Sequence, residues 1–117
     1  MLLGHVRKDD ASWWIDSVMQ TTSLWERTRG LLGRPALGVN QALWITPCNS
    51  VHSVGMGYAL DLVYLNKQRE VVKLVQGLRP LSASLALRAH SILELRAGGI
   101  ARLSISEGDK VQWWPNE

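Results

Sequence analysis

The chain has 117 residues, a formal net charge of +3, 46% hydrophobic and 20% charged residues. This length predicts one domain over residues 1–117, and this balance excludes a disordered or fibrous protein. So mild a positive charge, with no run of like charges, argues against dedicated nucleic-acid binding. A lone cysteine, Cys48, excludes an internal disulfide.

Six Trp against two Tyr and no Phe make indole the main large apolar group. The first ten residues, MLLGHVRKDD, show neither an apolar core nor a small-residue cleavage site, so they do not read as a secretory signal, and His5 is expected in a mobile end. The longest stretch without a formal charge, Pro35 to Leu60, contains Pro, Asn, Cys and His and does not read as a membrane span. A cytoplasmic location is the expectation.

In chain order, residues 12–19 (SWWIDSVM) read as a strand. Ser23 with Glu26 forms a capping box, and Leu24, Thr28, Leu31 and Leu32 follow at helical spacing. Gly33 and Pro35 stop the run, which predicts a helix over 24–32. Residues 41–46 read as a strand closed by Pro47. Residues 60–66 and 71–78 read as a hairpin joined through Asn66–Arg69. Residues 80–90 predict a short helix capped by Ser82 or Ser84, with His90 at its carboxyl end. Residues 91–97 alternate, with Leu93 and Leu95 on one face and Ile92, Glu94 and Arg96 on the other. Glu94 with Arg96 is expected as a solvated or cross-strand pair. Gly98–Gly99 makes a turn, residues 100–104 a helical turn, and residues 107–109 (EGD) a turn into a last strand. The fold class is α+β: a curved, mostly antiparallel sheet or small barrel of about six strands with two or three short helices.

Five blocks then occur in order: RGLLGR (29–34), PCNSVHSVGM (47–56), LDLVYLN (60–66), ILELRAG (92–98) and EGDKV (107–111). Together they resemble the prokaryotic domain of unknown function 192, over about Thr21 to Val111. The resemblance implies a compact α+β domain with a barrel-like sheet and no established activity. The chain departs from the family pattern at Ser53, where Thr is common, at Ala59 (Pro) and at Asn66 (Asp). Pro80-Leu81-Ser82 stands where many relatives carry Pro-Trp-Arg.

The chemistry concentrates between residues 47 and 58. Cys48, His52 and Met56 lie four residues apart, a spacing that keeps one face in either a strand or a helix. As a thiol, an imidazole and a thioether they make a soft donor set suited to Cu(I). Cys48 and His52 also fit a nucleophile and its base. The plain alternative is apolar filler around a loop-bonding histidine, and it outweighs both. No cofactor is expected and no partner is identified. The leading expectation is a non-catalytic binding or accessory protein whose ligand faces Asn49, Ser50, His52, Ser53, Met56 and Asp61. Asp61 on an apolar strand face demands a charged partner or backbone donors. Arg29 and Arg34 are the preferred partners, with Arg96 next, in an ion pair docking the helix on the sheet. The doublets Trp13–Trp14 and Trp113–Trp114 should each bury one indole and expose the other, a surface on which copies could associate.

Overall fold

Period-two patterning and β-branched residues place most of the regular structure in strands, and two short helices fill the corners. The computed structural model describes residues 1–53 and 56–116. Val54 and Gly55, within the expected 47–58 loop, and Glu117 lie outside the described residues.

The strands are β1 (Leu2–Lys8), β2 (Trp14–Gln20), β3 (Gln41–Ile45), β4 (Ser50–His52) and β5 (Leu60–Leu65). After them come β6 (Val71–Leu78), β7 (Ala83–Leu85), β8 (Ser91–Arg96) and β9 (Val111–Pro115). Two short helices, α1 (Leu24–Arg29) and α2 (Gly99–Leu103), interrupt them. Seven strands form one sheet in the order β6-β5-β8-β3-β2-β1-β9, and β4 pairs with β7 as a separate flap. The described pairings are antiparallel except β2 with β3.

The sheet curls until its edge strands approach at one end. Glu70 bridges to Lys110, the Val71 amide donates to Asp109 O at 2.8 Å, and the Val111 amide donates to Arg69 O at 3.0 Å. Trp13 Nε1 donates to Asp109 Oδ2 at 2.9 Å, tying the β1–β2 turn to the same corner. Val6, Ile15, Val18, Val63, Leu93 and Val111 pack inside the curl. A second apolar layer, with Leu43, Ile45, Leu62, Tyr64 and Ile92, lies on the other face of the central strands. Leu31 and Leu37, from the loop after α1, and Val51 of the flap cover it. Strands β5, β8 and β3 are therefore buried on both faces.

Several expectations need correction. Residues 80–90 form no helix, because Ser82, Ser84 and Ala86 alternate inward while Leu81, Leu85 and Leu87 stand exposed. That is a strand period, and the segment pairs with β4 as Ser50↔Leu85, Val51↔Ser84 and His52↔Ala83. His90 accordingly caps no helix; its carbonyl accepts from the Cys48 amide at 2.8 Å. The amino-terminal end is also ordered, since β1 sits between β2 and β9 and His5 stacks on Trp114. Finally, α1 stops at Arg29, where Gly30 turns to φ +54°. Its amino end is as expected, with Ser23 Oγ accepting from the Glu26 amide at 3.1 Å.

Asp61 is buried, 1% exposed, but none of the expected arginines reaches it. Its carboxylate accepts the amides of Gly77 (2.9 Å), Gly98 (3.1 Å) and Ile100 (3.0 Å). Arg29 Nε instead donates to Leu32 O, and Arg34 Nε to Gly30 O, each at 2.9 Å. The two guanidiniums shape the turn after α1, while Asp61 pins β6 and the start of α2 to β5. Removing that carboxylate leaves three amides without their acceptor, one of them, from Ile100, in a buried bond. Asp61→Ala should lose about 2 kcal/mol of unfolding free energy in urea titrations; an unchanged midpoint would contradict this role.

Candidate functional site

The covering layer of α1 and the β4–β7 flap does not close tightly over the sheet. It leaves a crevice of about 90 Å³ with Arg27 and Arg29 from α1, Cys48, Ser50 and His52 from the β4 segment, and Met56 in its walls. Leu60, Ile45 and Glu94 add surface from the sheet. A volume of this size holds a few water-sized groups.

Glu94 is the residue that sequence reasoning missed. Position 94 lies opposite Leu43 of β3 and Leu62 of β5, at the middle of three strands buried on both faces. It shares its face with Ile92, so it points into the covered layer and is only 3% exposed. Its Oε1 has no hydrogen-bond partner among the described residues. The expected pairing with Arg96 does not form, because Arg96 ends the strand in solvent. Gly30 leaves room above the carboxyl: a methyl there would stand 3.9 Å from Glu94 Oε1.

Burial pushes the Glu94 carboxyl up from 4.5 to about 7. The neighbouring phenols register the same environment. Burial raises the Tyr58 hydroxyl, and the Glu94 charge adds to it. Burial also raises Tyr64, opposed by its hydrogen bond to Ser84 and reinforced by Cys48 and Glu94. The Tyr58 hydroxyl, like Glu94 Oε1, is buried without a partner among the described residues.

The residues singled out by spacing divide into two groups. Cys48, Ser50, His52 and Met56 line the crevice together. Ser53, in contrast, is fully buried: its Oγ lies 2.6 Å from Arg79 O and accepts the Ser82 amide at 2.8 Å. It staples the flap and faces no ligand. Asn49 is exposed beside the crevice rather than in its walls, with its carbonyl accepting from the Ala86 amide. Asp61 lies on the inner face and belongs to the core. The Cys48 thiol donates to Ser50 O at 3.1 Å, not to the His52 ring. Among the described residues, no group of three His, Cys, Asp or Glu side chains is placed to hold a metal ion.

Both tryptophan doublets split as expected. Trp13 is buried, and Trp113 packs edge-on against Trp44 at 5.3 Å. Trp14 and Trp114 remain 51% and 43% exposed. The Arg7 guanidinium lies 5.2 Å from the Trp114 ring centre, a cation–π contact that covers part of this surface.

A model of the DUF192 family, described as Uncharacterized ACR, matches residues 5–113. A UPF0127 protein of Pyrococcus furiosus is 38% identical over 65 residues, 55% of each chain, so this chain spans about half the length of that curated relative. A crystal structure of a protein of unknown function from Novosphingobium aromaticivorans superposes with a TM-score of 0.77 at 23% identity, over 95% of this chain and 84% of that one. A Sinorhizobium meliloti protein, proposed as a transcription regulator, superposes with a TM-score of 0.82 at 17% identity, over 95% and 93%. Both likenesses concern the fold alone. Among the described residues, no helix is long and apolar enough to cross a membrane.

The folded protein holds the Glu94 proton more tightly than the unfolded chain does. Stability is therefore fullest below the unfolded value of 4.5 and falls as pH rises through about 7, by about 3 kcal/mol when ionisation is complete. Glu94→Gln keeps the neutral shape. In urea titrations it should match the parent near pH 4 and exceed its stability by about 3 kcal/mol near pH 9. A gap that stays constant with pH would contradict the burial of an unpaired carboxyl.

Proposed function

We propose, from the premise that the chain belongs to the uncharacterised DUF192 family, that it is a small-ligand-binding protein and that its ligand enters the crevice beneath α1 and the β4–β7 flap. One observation carries this reading: a buried carboxyl with an unpartnered oxygen lies in the wall of a crevice of about 90 Å³. Stability alone would favour an apolar side chain at position 94. Holding a carboxyl there instead fits a group kept for something that arrives from outside. Ser50, His52 and Met56 supply polar and adaptable contacts at the entrance, and Asn49 flanks it.

The reading assigns binding to a single domain working in the cytoplasm, the compartment in which a free thiol such as Cys48 stays reduced. A soft-metal role is favoured by one further observation, the convergence of Cys48, His52 and Met56 on the same crevice. Competition against a Cu(I) chelator decides it. The enzyme reading draws no support from the thiol, whose hydrogen bond goes to a backbone carbonyl.

Thermal unfolding against a panel of metabolite-sized compounds tests the main proposal. A true ligand at one hundred times its Kd should stabilise the parent by about 2.7 kcal/mol. Glu94→Leu, which removes the polar group but fills its space, should abolish that gain while the protein stays folded. Compounds that stabilise both proteins equally would place binding elsewhere.

A further inference from the structure

We propose that the crevice is specific for a small organic anion, a short hydroxycarboxylate, with its carboxylate at the Arg27–Arg29 mouth and its hydroxyl against the Glu94 carboxyl. This inference rests on the binding role proposed for the crevice and adds the class of ligand. Arg27 and Arg29 share the crevice walls with Glu94, the one acidic group in its lining among the described residues, so these walls are net positive even when Glu94 is ionised. The ion pairs found among the described residues involve neither arginine. A cationic ligand would have to pass them to reach the carboxyl.

The Arg29 guanidinium donates to Leu32 O and Gly33 O in the turn after α1, whereas Glu94 sits on β8 of the sheet. A ligand satisfying both ends must be short, anionic at one end and hydrogen-bonding at the other. A protonated carboxyl offers one donor and an acceptor, and a hydroxyl accepts the first and donates to the second. That exchange satisfies the unpartnered Oε1 without burying a charge.

Binding is then coupled to pH. The titratable or charged groups around Glu94 are Arg27 and Arg29 from α1, Cys48 and His52 from the β4 segment, and Tyr58 and Tyr64 from β5 and the residues before it. Strand β3 contributes only Ile45 to this wall. If only the protonated floor accepts the anion, the apparent affinity follows the protonated fraction, about tenfold higher at pH 6 than at pH 8. Histidine as a class titrates in the same range, so a His52 variant is needed to assign the slope.

Nuclear magnetic resonance titrations of the full chain use glycolate, methylammonium and ethylene glycol as probes at both pH values. Glycolate should shift the Cys48, His52 and Glu94 signals and bind about tenfold more tightly at pH 6. That slope should survive His52→Asn and vanish in Glu94→Gln, and Arg27→Met should weaken binding at both pH values. If Glu94→Gln does not fold, the His52 and Arg27 variants carry the test. A slope lost in His52→Asn overturns the role of Glu94. Stronger binding of methylammonium or ethylene glycol overturns the anion while leaving the crevice as the site. If no probe shifts these signals the inference falls, and the wider compound panel judges the broader reading.

Discussion

Strand β8 lies between β5 and β3 and is covered on both faces, and the rest of the site follows from that confinement. Ser91 to Leu95 are all buried. Any polar group on this strand must find a partner within the protein or remain protonated. Glu94 takes the second course: its carboxyl loses water, gains no partner among the described residues and holds its proton to about pH 7. The covering layer is then tolerable only if it leaves space beside the carboxyl. That space is the crevice, bounded by the turn at Gly30, the β4 segment and α1.

Asp61 shows that burial alone does not mark a site. It lies on the strand next to Glu94, directly opposite Leu95, and is at least as deeply buried. Three backbone amides from two other segments satisfy it, so its charge becomes a fastener between the sheet, β6 and α2. The two carboxyls differ in partners rather than in exposure. One holds the fold together; the other keeps an oxygen that no described residue satisfies.

Much of the fold was legible in the sequence because the relevant signals are local. The capping box at Ser23, the β5–β6 hairpin and the closure of β3 at Pro47 all follow from neighbouring residues. Spacing of four permitted Cys48, His52 and Met56 to share a face without compelling it, and all three line the crevice. Other elements depended on distant chain. The segment 80–90 contains leucine at helical separations, yet its period-two row of Ser82, Ser84 and Ala86 matches the flap, and β4 supplies the pairing that a helix would have supplied internally. The alternation of β8 put Glu94 with Arg96 on an outward face. That face is not outward, because α1 and the flap roof it; Ile92, apolar on the same face, was the available hint. The donors to Asp61 are backbone amides, which no search for oppositely charged side chains would find.

Direct titration of the Glu94 side-chain carboxyl by carbon-detected nuclear magnetic resonance bears most closely on this account. Desolvation without a partner predicts a midpoint near 7 and a transition that Arg27→Met leaves almost in place. A midpoint near 4.5, the ordinary value for a solvated glutamate, would show that water or a partner reaches the carboxyl, and the crevice would lose its claim to function.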